Sequence, residues 1–383
     1  GCGIVQVSSL AKEKKKVREI GGLAYLTSLV DGVPKTLDVP GIVASLKKNY
    51  LLRSASELVT ECQKRLEDGE SPEQVLALLG SRTFDALSEG NKKDFSDSSE
   101  NAGDVVNEAV DAALGIGTKH IRTGFYGLDA ATGPLYAGDL VLIGARPSVG
   151  KTALMLNMLI HAARYQGKRV GIFSLEMPRA KLCRRMICEM AGINSRKLKE
   201  GTMTSGEWSL FLKAAIEFWK LPIWIDDTTA PTITEMKAKA RRLKLEHDVD
   251  VIGVDYIQLA SAGDLADVSD KNATVGAISK GLKQMARELD IVVVALSQLS
   301  RYSERRSDGS PRMSDLRDSG ALEQDADVVI FPERPEQAGA TPQNVGKGTL
   351  NVGKNRDGDS GEKAPCLFIK TLSSYYNGRI FLT

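Results

Sequence analysis

The sequence predicts an α/β domain with a mostly parallel, twisted sheet and helices on both faces, preceded by a small all-α region and a linker helix. Three observations predict it. Short apolar runs alternate with helical stretches from residue 119 onward, one of these runs leads into a phosphate-loop spacing, and the first 90 residues place apolar positions at helical intervals. With 383 residues, 42% hydrophobic and 26% charged, the chain is long enough for one large or two medium domains. That composition excludes disordered, collagen-like and small disulfide-scaffold classes. Lysine and arginine number 51 against 49 acidic residues, so any nucleic acid must be met by a local patch rather than a global basic field. The longest apolar run, Ile291 to Leu296, is far short of the roughly 20 residues that cross a bilayer, which predicts a soluble, cytoplasmic protein with no membrane partner. Five cysteines without a CxxC pair suit a reducing compartment. Three scattered histidines, His120, His161 and His247, suggest no metal cluster.

Residues 1–90 balance 12 basic against 12 acidic residues, with Leu51, Leu52, Leu58, Val59 and Val75, Leu76, Leu78, Leu79 at helical spacing. They read as a partial helical N-terminal domain, punctuated at Gly21-Gly22, Gly32 to Pro34 and Pro40-Gly41. The first residues lack an initiator Met, so the natural start is expected upstream. Residues 91–118 are polar and acidic, two lysines against six acidic residues, and read as a linker. Within it, Ala102 to Leu114 spaces Val105, Val106, Ala109, Val110 and Ala113 as an amphipathic helix would, either seeking a partner surface or simply solvated.

Residues 119–383 form the third unit. Strands are expected at Leu140–Ile143, Val170–Phe173, Ile223–Ile225, Val251–Val254, Ile291–Leu296 and Val328–Phe331, with helices including Thr152–Tyr165, Thr232–Glu246 and Ser279–Glu288 between them. Three later runs, Thr349–Val352, Pro365–Lys370 and Arg379–Leu382, could extend the sheet's edge.

The run Ala145, Arg146, Pro147, Ser148, Val149, Gly150, Lys151, Thr152 follows the first strand and opens a helix, the context a P-loop requires. Its backbone N–H groups would cradle phosphates, Lys151 would reach the outer phosphates, and the Thr152 hydroxyl would ligate magnesium. Ala145 stands where the usual pattern has Gly. Asp255 ends an apolar strand, where a magnesium-side carboxylate belongs, although alone it could cap a turn. Glu176 follows the second strand, where a carboxylate can orient water for attack on a γ-phosphate, although alone it could serve a helix dipole. Gln298 could sense the γ-phosphate by hydrogen bonding or be an ordinary loop residue. Trp208, Trp219 and Trp224 read as packing residues.

As a set, Ala145–Thr152, Phe173–Met177, Val254–Leu259, Ala295–Arg301 and Ser314–Asp327 closely resemble the bacterial replicative helicases of the DnaB family. Ile20–Leu26 resembles the later part of that family's helical N-terminal domain. The resemblance implies a RecA-like motor core that hydrolyses ATP with Mg2+, works as a ring of six around single-stranded DNA and docks its linker helix on the neighbouring subunit. Primase and a helicase loader are the further partners it implies. Carried over by position, it makes Lys151 and Thr152 nucleotide and metal residues, Glu176 the catalytic carboxylate, Asp255 the metal-side Asp and Gln298 the γ-phosphate sensor. Lys354 and Arg356 match the family's Lys-x-Arg element, whose cations reach the next subunit's nucleotide; without the resemblance they read as a solvated pair on a polar Gly-rich turn. Arg317, Asp318 and Gly320 match the pore loop that meets DNA. Arg317 would pair with a phosphate, Asp318 would position the loop, and Gly320 would allow close backbone approach. Arg301, Arg305, Arg306 and Arg312 add local positive charge. The stretch 331–346 has no assignable role. Two rival readings remain: a RecA-like recombinase or clock-type ATPase that shares the core, and, from a different class, a loader or assembly scaffold switched by ATP.

Overall fold

The computed structural model describes residues 39–72, isolated positions between 75 and 110, and residues 120–261, 271–299, 311–316, 320–334 and 346–377. Two compact units divide at Lys92 and Lys93. In the first, helix α1 (Val39–Glu67) runs for 29 residues. It passes through Pro40-Gly41, a pair that in sequence alone signals punctuation. Proline is tolerated in a helix's first turn, where its missing N–H would have had no partner. The expected elements of residues 1–38 lie outside the described residues.

The second unit contains, in order, α2 (Tyr126–Thr132), β1 (Leu140–Ala145), α3 (Lys151–Tyr165), β2 (Val170–Ser174), α4 (Arg179–Ala191), α5 (Ser195–Glu200), α6 (Ser205–Trp219), β3 (Ile223–Asp226), α7 (Ile233–His247), β4 (Val251–Asp255), α8 (Lys271–Leu289), β5 (Val292–Gln298), α9 (Gly320–Asp325), β6 (Val328–Glu333), β7 (Lys347–Asn355), β8 (Lys363–Ile369) and β9 (Ser374–Asn377). The strands form one nine-stranded sheet in the order β3-β2-β4-β5-β1-β6-β7-β8-β9. The first six run parallel, and β7, β8 and β9 add to the β6 edge antiparallel.

Every residue of β1, β2 and β4 is buried, which explains why these strands read as unbroken apolar runs rather than alternating ones. Helix α3 lies directly on the sheet: a Cβ added to Gly253 of β4 would stand 2.6 Å from Leu159. Edge strand β3 is only half-buried along its length. Helices α6 and α7 each start with a complete capping box, Thr204 with Glu207 and Thr232 with Glu235. That Thr-x-x-Glu spacing fixes where the chain turns into helix.

Strand β7 corrects one expectation. Gly353 and Lys354 belong to the strand, not to a turn, because β7 pairs with β6 as far as Asn355, with an irregularity between Val329 and Ile330. A Cβ at Gly353 would stand 2.3 Å from the Phe331 ring, so only glycine lets the strand continue under that side chain. The apolar run after Thr349 therefore understates the strand. The β-rich run Arg379–Leu382 lies outside the described residues, and β9 falls just before it.

Candidate active site

Parallel strands deliver their carboxyl ends to one edge of the sheet, the edge where open α/β sheets bind ligands. The register aligns Ala145 with Gln298 and Ser174 with Asp255, so the P-loop, the Glu176 segment, Asp255 and Gln298 all emerge there. Ala145 closes β1 as an ordinary, fully buried strand residue, which is why a methyl group is accepted where the usual pattern has Gly. The unusual backbone sits further on, at Ser148 (φ 65) and Gly150 (φ 112). A Cβ on Gly150 would meet the rings of Phe368 and Tyr375 at 3.1 Å. Those aromatics support the loop: the Tyr375 hydroxyl donates to the Val149 carbonyl at 2.7 Å. Arg334 donates to the Ser148 and Val149 carbonyls at 3.4 Å and stacks over Phe368 at 3.9 Å. Arg334 was not anticipated; it opens the part of 331–346 beyond β6, of which 335–345 lie outside the described residues.

Lys151 and Thr152 begin α3 immediately after the loop. The Lys151 ammonium lies 4.0 Å over the Tyr256 ring. Burial pushes its pKa down, against the opposing pull of the Asp255 and Glu176 carboxylates. Asp255 is fully buried, and neither carboxylate oxygen has a hydrogen-bond partner. Burial raises its pKa, while the neighbouring Thr152 hydroxyl and Lys151 ammonium pull the other way. A buried carboxylate left unmet is costly, and a hard divalent cation is the group that oxygen donors of this kind satisfy. The residues present therefore fit Mg2+ held by Thr152 and Asp255 beside a nucleotide's phosphates.

Glu176 is exposed at this edge, one residue past Leu175, whose N–H donates to the Asp255 carbonyl at 2.8 Å. Gln298, also exposed, has its backbone braced by Gln258, whose side chain donates to Ser297 Oγ at 3.1 Å. A further cation was missed. Arg185 of α4 is largely buried, its Nε lacks a partner, and it lies in the field of Glu189, Asp255 and Glu176. Helical position places it there, and no motif marks it.

Lys354 and Arg356 stand at the other edge of the sheet. Lys354 Nζ donates to the carbonyls of Glu323 (2.7 Å) and Ala326 (2.6 Å), at the carboxyl end of α9. Burial and the adjacent Arg356 guanidinium push its pKa down. Arg356 pairs with Asp327 at 2.9 Å, and Asp327 in turn accepts the N–H of Leu140, the first residue of β1. Of the expected DNA residues, Arg317 and Asp318 lie outside the described residues. Gly320 is exposed as the first residue of α9, with nothing within 4 Å of where a Cβ would stand.

The tryptophans require a correction. Trp224 does pack, stacked on His247 at 4.4 Å, but Trp208 is half-exposed and Trp219 is 86% exposed. With Leu212 and Ile216, also exposed, they form one stripe on α6 within a sector of about 80° at helical spacing. Nothing described in this chain covers that stripe.

A P-loop after the central strand, carboxylates at neighbouring strand ends and a parallel sheet extended by antiparallel strands define a RecA-like ATPase. The chain belongs to the DnaB-like helicase family, whose C-terminal-domain model matches residues 120–377. Among its relatives, a replicative DNA helicase DnaB of Geobacillus stearothermophilus is 33% identical over 379 residues, spanning 98% of this chain and 82% of that protein. Another from Rickettsia bellii is 35% identical over 354 residues, 87% of this chain and 69% of that one. Of solved structures, the ATPase domain of G40P superimposes with a TM-score of 0.68 at 33% identity, covering 74% of this chain and 99% of that one. A DnaB-like replicative helicase, described with its interactions with primase, gives 0.66 at 30% identity, covering 97% and 87%.

Proposed function

We propose that this chain is the motor subunit of an ATP-dependent replicative DNA helicase that translocates on single-stranded DNA as a homo-hexameric ring in the cytoplasm. Primase and a helicase loader are its further partners. The observation that carries this reading is the division of functional groups between two edges of one sheet. Lys151, Thr152, Glu176, Asp255 and Gln298 gather at the carboxyl edge, while Asp327 holds Arg356 against the first residue of β1. The five residue steps from Leu140 to Ala145 measure about 16 Å of strand, more than an arginine side chain spans. That distance argues against Arg356 serving its own P-loop and supports the reading in which a neighbour supplies it.

In this reading the P-loop amides and Lys151 bind the phosphates, and Thr152 and Asp255 hold Mg2+, which would offset phosphate charge. Glu176 orients the attacking water and Gln298 contacts the γ-phosphate. No helix among the described residues is long and apolar enough to cross a membrane. The deciding experiment combines ATPase assays with and without single-stranded DNA, electron microscopy of the assembly and unwinding of a forked duplex. Rings that unwind support the helicase; filaments without unwinding favour the recombinase-like rival, and slow ATPase indifferent to DNA favours the switch-type scaffold.

The α6 stripe is the docking face for the neighbour's linker helix, whose Val105, Val106 and Val110 are exposed as well. Full burial of each large apolar side chain is worth about 1.5–3 kcal/mol. Replacing Ile216 and Trp219 together by Asp should thus convert rings to smaller species in mass photometry. Rings that persist at the same concentration would mean the stripe faces something else.

Arg317 is proposed as a phosphate contact inside the ring. Arg317→Ala should weaken single-stranded DNA binding similarly for all sequences and lower the salt slope of log K by about one unit. Basal ATPase should survive. A sequence-selective loss, or an unchanged slope, moves the DNA path elsewhere.

A further inference from the structure

Asp327 closes the motif Ser314–Asp327 and has no assigned part in binding nucleotide, metal or DNA. It is buried, and all its polar atoms are engaged. Its N–H donates to the Leu140 carbonyl at 2.9 Å, and one carboxylate oxygen accepts the Leu140 N–H at 2.8 Å and the Lys283 ammonium at 2.5 Å. The other carboxylate oxygen accepts Arg356 Nη1 at 2.9 Å, and the Asp327 carbonyl accepts the Arg356 backbone N–H, also at 2.9 Å. One residue thus grips Arg356 by backbone and guanidinium together, while being fixed itself to the start of β1 and to α8. Lys283 completes the anchor by donating to the Gly138 carbonyl at 2.8 Å.

An arginine side chain has four rotatable bonds and would ordinarily sample many directions. Here Nη1 is tied to Asp327, Nη2 donates to the Gln324 carbonyl at 3.4 Å, and the side chain remains 53% exposed, so the guanidinium is held in one direction at the surface with N–H groups to spare. A donor already aimed requires no reorganisation when charge develops on a transferring phosphoryl group. We infer that Asp327, anchored by Lys283, is a positioning residue that aims Arg356 at the neighbouring subunit's nucleotide. This rests on the reading of Arg356 as a group that acts across the interface.

The test is kinetic. Asp327→Asn preserves shape but removes the ion pair. Because it leaves Lys283 without its counter-charge, the double variant Asp327→Asn with Lys283→Met is measured beside it, with melting temperatures to confirm folding. In the presence of single-stranded DNA, kcat for ATP should fall on the order of 10²-fold while KM stays within about threefold. Adding Arg356→Ala should take the loss no further than that of Arg356→Ala alone. Mixed with Lys151→Ala subunits, the Asp327 variant should regain ATPase, whereas mixed with Arg356→Ala it should not.

An unchanged kcat in both variants, or a loss that multiplies with that of Arg356→Ala, overturns the inference. So does failure to recover with Lys151→Ala when Arg356→Ala does recover. If Arg356→Ala itself fails to recover with Lys151→Ala, either Arg356 acts in cis or the ring must fire consecutively, and non-additivity of the Asp327 and Arg356 variants still decides whether Asp327 acts through Arg356.

Discussion

Glu176→Gln is expected to bind ATP and lose turnover by about 10²-fold or more, whereas Lys151→Ala is expected to lose binding itself. The separation follows from position. Lys151 begins α3 at the P-loop, its ammonium flanked by the Tyr256 ring and the Asp255 and Glu176 carboxylates, so its removal leaves that acidic pair facing incoming phosphates without a cation between them. Glu176 is exposed at the mouth of the site, where it can meet water but where glutamine costs the fold little. The exchange even removes one negative charge near the phosphates, so nucleotide affinity should hold or rise. Titration with a fluorescent nucleotide and a phosphate-release assay on the same preparations read the two quantities. Near wild-type hydrolysis by Glu176→Gln places the general base elsewhere, and full nucleotide affinity in Lys151→Ala removes the P-loop lysine from binding.

What was legible in the sequence is what local chemistry determines. Fully buried parallel strands must be continuous apolar runs, and the residues at or just past their carboxyl ends, Glu176, Asp255 and Gln298, must share an edge once the strands are parallel. Contacts between distant segments left no such mark. Asp327 meets Leu140 across 187 positions, and Arg334 meets Ser148 across 186. Arg185 reaches the site from the middle of a helix whose pattern says only which side is apolar. Strand β9 is four residues, Ser374 to Asn377, too short and too polar to stand out, yet its Tyr375 supports the P-loop. Gly353-Lys354 read as a turn because glycine next to a cation usually is one; the Phe331 ring that explains the glycine belongs to the neighbouring strand. Trp219 misled in the opposite direction, since a large aromatic is buried in most chains and here nothing described in the same chain covers it.

Arg356→Ala is expected to be nearly inactive alone, with kcat lowered by about 10³-fold, because a guanidinium delivered to a transferring phosphoryl group typically contributes that much. If the residue acts across an interface, the loss is complementable. A ring mixing Arg356→Ala with Lys151→Ala contains some interfaces at which an intact P-loop faces an intact Arg356, and those sites should hydrolyse ATP although neither parent does. A cis arginine predicts no such recovery, and the placement of Arg356 beside Leu140, at the far end of β1 from the P-loop, argues against one. If verified mixed rings show no more activity than the two variants summed, either Arg356 acts in cis or hydrolysis requires consecutive firing around the ring. A titration of Arg356→Ala into wild type separates these outcomes. Independent cis sites give a linear fall in activity with mutant fraction, whereas subunits that must fire in sequence give a steeper one, because a single missing arginine then silences more than its own interface.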